Sequence, residues 1–325
     1  MVSYGGEEVK LLQECAESAA MQRLKKVGMD CGCEYTSFPL FLNKPRYDRY
    51  MHSFGVSQIV YHFTKDEKQA LAGLFHDIST AAFAHVIDFL HQDYLLQEST
   101  EEKTREMIEK DETIARLLKQ EGITVEEVCD YHIYPIADND SPQLSADRLE
   151  YSLVNMERYL KRGEEELQRY YDDLVVGINE KGEEELCFQN KELAEAFALD
   201  ALNTGKIYSS DPDRYIMEYL ARILQIAITK GLFIEADLFQ GEAWIIEQLK
   251  KEEEVKAMWE KLTSFSEIVT SSIPEDEMFF KINAKKRYID PYVVNKGRVS
   301  SFSFKFKEQL DAYLQLSYDY YVKAL

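Results

Sequence analysis

Three segments far apart in the chain carry ionisable residues in settings that a fold has to reconcile. His52 closes Arg49-Tyr50-Met51-His52-Ser53, the adjacent pair His76-Asp77 follows Gly73-Leu74-Phe75, and Asp147 opens Asp147-Arg148-Leu149-Glu150-Tyr151. All six histidines of the chain fall between His52 and His132. Two imidazoles and two carboxylates make a mixed nitrogen and oxygen donor set, suited to a divalent metal of intermediate hardness. Apolar packing immediately before His76-Asp77 implies burial, and a buried carboxylate without a partner is costly. A bound cation removes that cost. Neighbouring residues on a regular helix point about 100° apart, so His76 and Asp77 can share one ion only at a helix end or break. Asp147 must then come from a later helix packed against the first two.

The 325 residues suffice for one large domain or two ordinary ones, and 45% hydrophobic with 30% charged residues fits a folded protein. A net charge of −21 repels phosphodiester backbones, so no nucleic-acid partner is expected. It does not exclude a small anionic substrate held by a metal or a local basic wall. The acidity resides largely in Glu164-Glu165-Glu166, Glu183-Glu184-Glu185 and Glu252-Glu253-Glu254, read as solvated helix faces and turns. No run of about 18 apolar residues occurs, and Met1 to Glu8 lack the basic and apolar regions of a secretory signal. No membrane partner and a cytoplasmic location are expected. Cys15, Cys31, Cys33, Cys129 and Cys187 lack zinc-ribbon spacing and are expected to be reduced thiols, buried or half-buried.

Apolar spacing predicts helices over 7–27, 47–63, 67–76, 100–119, 124–132, 143–161, 190–205, 211–230, 235–239, 241–263 and 307–324. A further helix through Phe83, Val86, Ile87 and Leu90 is expected to be capped by Ser79 or Thr80, and Asp66 to cap the helix that ends at His76. Residues 174–188 read as a β-hairpin turning near Lys181-Gly182, and a second hairpin is expected between Phe279 and Phe306. Residues 1–170 are expected to form a helical core carrying the metal site. Residues 171–325 are expected to continue it with helices and two short hairpins, packed as one body.

Several segments resemble, in order, those of the HD-domain metal-dependent phosphohydrolases, and more narrowly the deoxynucleoside triphosphate triphosphohydrolase-like branch. Gln22-Arg23-Leu24 resembles that branch's leading helix. Arg49-Tyr50-Met51-His52-Ser53-Phe54-Gly55-Val56 resembles its Arg-Phe-x-His-Ser-Leu-Gly-Val segment, and His76-Asp77 matches the superfamily signature. Phe83-Ala84-His85 and Asp147-Arg148-Leu149-Glu150-Tyr151 resemble its Phe-Ser-His and Asp-Lys-x-Asp-Tyr. Weaker echoes lie at 213–227 and 286–291. The fold class implied is mainly α, an HD-domain helical bundle with small β-hairpin appendages.

The resemblance implies that His52, His76, Asp77 and Asp147 hold the metal. Iron, manganese, nickel or zinc suits two imidazoles better than calcium, and magnesium is compatible. It further implies that Arg49 reaches a phosphate, that His85 serves as general acid or charge stabiliser, and that Arg148 and Tyr151 line the phosphate and sugar side. Asp77 or a nearby carboxylate can orient the attacking water. The function implied is hydrolysis of a phosphate ester of a nucleotide or related small molecule through a metal-bound water, with homo-oligomerisation left open. Three departures stand out. Thr80 occupies the place of a histidine three residues after the His-Asp pair, Glu98-Ser99-Thr100-Glu101-Glu102 lacks a further histidine, and Asn155 replaces an aspartate. They support the alternative of a nucleotide-binding or regulatory protein on the HD scaffold with weak catalysis. A purely structural helical protein leaves the clustered motifs unexplained.

Overall fold

The computed structural model describes residues 2–5, 8–91 and 103–325. The His52 helix, Arg49–Thr64, begins where Asp48 accepts the Met51 amide at 3.0 Å and ends at Lys65 in the left-handed region. Asp66 caps the next helix, Glu67–Phe75, as expected, accepting from the Lys68 and Gln69 amides. This helix stops one residue before His76, so His76 and Asp77 sit at the helix end that their shared chemistry requires. The Asp147 helix, Ala146–Leu160, starts under a Ser145 cap and places Asp147 in its first turn. Leu74, Phe75, Val56, Ile59, Leu149 and Leu153 are fully buried between these three helices, and each contributes roughly 1.5–3 kcal/mol of transfer free energy.

The hairpin of Leu174–Ile178 and Glu184–Phe188 forms as expected, with Leu174 opposite Phe188, Val176 opposite Leu186 and Gly182 in the turn. It belongs to a four-stranded sheet completed by Tyr292–Val293 and Gly297–Arg298, with Phe188 pairing in parallel with Val293. A separate pair joins Ile268–Ser271 to Tyr321–Ala324 in antiparallel register.

Several expectations are corrected. Phe302 to Phe304 is not a strand: Ser303 accepts the Phe306 amide at 3.0 Å and caps the helix Phe304–Leu314. That helix stops short of the expected 324, because Tyr321–Ala324 alternates half-buried and buried residues against a partner strand. Residues 124–132 form two short 3-10 turns, Val125–Glu127 and Tyr131–Ile133, each with an acidic or hydroxyl residue competing for the backbone. The 7–27 region divides at Ser18, which caps Ala19–Arg23. The 100–119 region divides at Asp111, which caps Glu112–Glu121; its first three residues lie outside those described. The 241–263 region divides at Glu252, which caps Glu253–Ser264. Ser79 and Thr80 cap no helix; Val86–Leu90 follows His85 without a side-chain cap.

The buried apolar residues gather in two clusters. One surrounds the His52 and Asp147 helices, the hairpin and Lys191–Ile207. The other surrounds Asp211–Thr229 with Phe83, Val86, Trp259 and Phe265. Cys15, Cys31, Cys33 and Cys187 are buried thiols and Cys129 is half-buried. Among the described residues no helix is long and apolar enough to cross a membrane.

Candidate metal centre and its cavity

His52, His76 and Asp147 bring one donor atom each into a group in which all lie within 4.8 Å of one another. His52 Nε2 is 3.0 Å from Asp147 Oδ1 and 3.2 Å from His76 Nε2, and His76 Nε2 is 3.9 Å from Asp147 Oδ1. Donors about 2.0–2.2 Å from one ion stand roughly 3–4 Å apart, so the spacing fits. The hydrogen bonds behind the rings decide what the front atoms are. His76 Nδ1 faces the Gly73 carbonyl at 2.7 Å, which can only accept, so Nδ1 carries the proton and Nε2 presents a lone pair. His52 Nδ1 faces the Glu150 carboxylate at 2.6 Å, with the same result for the neutral ring. Two imidazole lone pairs and a carboxylate oxygen thus converge, an arrangement that calls for a cation between them. Burial alone would lower His52, but hydrogen bonds to Asp147 and Glu150 outweigh it and raise the imidazole to about 10. Burial would raise Asp147, yet His52 holds its carboxyl well below the usual range.

Glu150 reaches His52 because position 55 is glycine; a Cβ there would stand 2.8 Å from Glu150 Cγ and Oε1. Tyr47 donates to the same Glu150 oxygen. Asp77 lies at the edge of the group, its Oδ2 3.5 Å from His76 Nε2. Arg49 Nη1 donates to that Oδ2 at 2.8 Å and Thr80 Oγ1 donates to Oδ1 at 2.8 Å. Burial would raise Asp77, but the Arg49 guanidinium, with His76 and His52, holds it well below the usual range. Thr80 therefore orients the carboxylate of the His-Asp pair.

The group opens into a cavity of about 300 Å³ between the two apolar clusters. The expected metal, catalytic and substrate residues all line it: His52, His76, Asp77, Asp147, His85, Arg49, Arg148 and Tyr151. His85 Nδ1 is 2.9 Å from Asp88, and its imidazole is lowered by burial, against Asp88 and with Arg287 and Arg49. Arg148 pairs with Asp138 at 3.0 Å and donates to the Gln143 carbonyl and to Asn139. Asn155 also lines the cavity, donating to the Tyr208 hydroxyl at 2.8 Å.

Sequence reasoning reached the rest of the lining only through the weak echoes at 213–227 and 286–291. Lys285 and Arg287 enter from an irregular stretch, Asp213 from the helix Asp211–Thr229, and Tyr131, His132 and Asp138 from the turns before the Asp147 helix. Burial pushes the Asp213 carboxyl up to about 8, with Cys33 Sγ 3.7 Å from its Oδ1. His132 is half exposed at the cavity and faces Asp138 at 3.5 Å.

A mainly helical body with a converging imidazole and carboxylate triad is the class of protein these observations define. No family model matches the chain. It is 27% identical over 305 residues to the uncharacterized protein YdhJ of Bacillus subtilis, across 90% of this chain and 87% of YdhJ. It is 26% identical over 306 residues to a Cordyceps militaris protein named metal-dependent phosphohydrolase cns2, across 90% of this chain and 84% of that one. A crystal structure of a hypothetical protein from Aquifex aeolicus shares the fold with a TM-score of 0.67, at 16% identity, over 98% of this chain and 93% of that one.

Proposed function

We propose that the protein is a metal-dependent phosphohydrolase of the HD type, cleaving a phosphate ester of a nucleotide or related small molecule. The observation that carries this reading is the convergence of the His52 and His76 Nε2 lone pairs on Asp147, fixed from behind by Glu150 and Gly73. The similarity to a protein named metal-dependent phosphohydrolase supports it. His52, His76 and Asp147 would hold the ion, with Asp77 beside them as the expected fourth ligand. The mixed donors favour iron, manganese, nickel or zinc over calcium. A divalent ion there supplies Lewis acidity that activates water and offsets phosphoryl charge.

The remaining chemistry belongs to side chains. Asp77, oriented by Arg49 and Thr80, accepts a hydrogen bond from the attacking water. The Arg49 Nε is buried without a hydrogen-bond partner, an arrangement that costs about 1–3 kcal/mol and that a phosphate oxygen would relieve. His85, kept neutral by burial, becomes the proton donor to the leaving oxygen once a charged phosphate enters and favours the imidazolium; Asp88 fixes its ring. Tyr151 and Arg148 line the phosphate and sugar side. The cavity volume stands at the small end of the roughly 300–1,000 Å³ range of ligand sites, which suits a single small ester rather than a polymer.

Metal analysis of the purified protein, followed by a phosphate-release screen over nucleotides and simple esters, tests the reading. One divalent ion per chain and metal-dependent release are expected. Metal-loaded protein that releases no phosphate yet binds a nucleotide tightly would replace it with the regulatory alternative.

A further inference from the structure

His85 stands directly after two residues in a conformation that L-amino acids avoid. Phe83 has φ 63° and Ala84 φ 47°. Consecutive non-glycine residues in the left-handed region are rare, because each Cβ crowds the following carbonyl oxygen. Such a pair persists only where the surrounding structure over-determines it. The turn's own bonds run from the Ala84 amide to the Ala81 carbonyl and from the Val86 amide to the Phe83 carbonyl, both at 3.0 Å. Restraint from outside comes from much later in the chain. The Ala82 amide donates to the Leu238 carbonyl at 2.8 Å, and the Phe83 amide donates to Glu242 Oε1 at 3.3 Å. Among the described residues, Glu242 is the one partner outside the turn that accepts from an amide of the left-handed pair itself.

Glu242 opens the helix Glu242–Leu249, is buried, and does not itself line the cavity. The oxygen that accepts the Phe83 amide also accepts the Gly28 amide at 2.8 Å, and the other oxygen accepts the Tyr35 hydroxyl at 2.7 Å. The Tyr35 ring in turn packs edge-on against Phe83, with centroids 6.1 Å apart. Gly28 pairs in a single antiparallel bridge with Asp48, the cap of the His52 helix. One carboxylate oxygen therefore ties the turn that launches His85 to the segment that launches Arg49 and His52. The two ends differ in their other support. The His52 helix keeps its Asp48 cap, the Arg49 amide on the Val27 carbonyl at 2.9 Å and the Met29 amide on the Tyr47 carbonyl at 3.1 Å. The left-handed pair leans on Glu242. A return of Phe83 or Ala84 to negative φ turns the backbone by roughly 100° and swings His85 away from Asp88, now 2.9 Å from its Nδ1. We propose that Glu242 is a positioning residue for His85, its carboxyl holding the Phe83-Ala84 turn in the form that aims the imidazole into the metal-side cavity. The proposal rests on the phosphohydrolase reading, in which His85 donates the proton, and adds to it a residue from outside the cavity.

NMR of the full, zinc-loaded chain carrying isotope-labelled histidine reads the six imidazoles apart from turnover. Glu242→Ala should shift the His85 ring resonances, identified by their loss in His85→Ala, while those of His52 and His76 and the zinc content stay as in wild type. Glu242→Gln keeps an acceptor oxygen for both amides and should restore the His85 resonances. In steady-state hydrolysis Glu242→Ala should lower kcat about 10²-fold with KM within about twofold of wild type, and Glu242→Gln should recover most of the loss. Added to His85→Ala, Glu242→Ala should cost nothing further, since both act through one group. Should Glu242→Ala not fold, Glu242→Asp, one methylene shorter, carries the same test with the same outcomes. Unmoved His85 resonances, or a full additional loss of kcat on top of His85→Ala, would overturn the proposal. Shifted His85 resonances in a protein that hydrolyses no ester would sink the hydrolase reading and leave the positioning. Hydrolysis by wild type with His85 resonances unmoved in Glu242→Ala would do the reverse.

Discussion

The two walls of the cavity are made in different ways. On one side, His52, His76, Asp77 and Asp147 sit on helices or helix ends with strong local caps at Asp48, Asp66 and Ser145. On the other, Lys285 and Arg287 ride an irregular stretch held by Gly205, Arg214 and Asp290. The helical wall is positioned largely by nearby sequence, the far wall by contacts with distant parts of the chain. A donor set for a metal tolerates little displacement, so the more rigid construction falls where geometry matters more.

The largest expected effect is on the helical wall. His76→Ala removes a donor and should reduce the metal content of purified protein from one ion per chain to none, abolishing phosphate release; metal-replete His76→Ala would break the assignment of that wall. His85→Ala should lower kcat by about 10²–10⁴-fold with little change in KM, since its part comes in the transition state. An unchanged kcat in steady-state assays would reduce His85 to a partner of Asp88. Glu150→Ala leaves all donors in place but removes the group that fixes the His52 tautomer. A loss of about 10- to 100-fold in metal affinity is expected, and competition with a chelator reads it directly. The smallest effect concerns the far wall. Asp213 has its folded-state carboxyl pushed up to about 8 by burial, above its unfolded value of about 3.9. Its contribution is fully present below the unfolded value and is lost as pH rises through the folded one. Asp213→Asn should therefore flatten the fall in melting temperature between about pH 4 and 8; parallel melting curves for the two proteins would remove Asp213 from this account.

The same contrast explains what could be read in advance. The four expected metal residues line one cavity with His85, Arg49, Arg148 and Tyr151, because each lies in a short run whose caps and apolar neighbours mark a helix end. The hairpin at 174–188 was legible from its turn and its β-forming residues. Arg287 was flagged only by the weak echo at 286–291 and Lys285 not at all, since an extended segment carries no periodic signal and its course depends on the missing side chain at Gly205. Tyr321–Ala324 followed a helical pattern on paper and pairs as a strand because Ile268–Ser271 offers it an edge. Asp213 was flagged only as the start of the weak echo at 213–227, with nothing in its neighbours to mark its carboxyl.

The distance along the chain between the two walls has a consequence for how the protein is made. His52, His76, Asp77 and Asp147 are all synthesised before Arg287, the last of them 140 residues earlier (147 to 287). At about 5–20 residues per second, the growing chain contains these four residues for roughly 7–28 seconds before Arg287 is added. The residues of the two walls are thus synthesised at separate times.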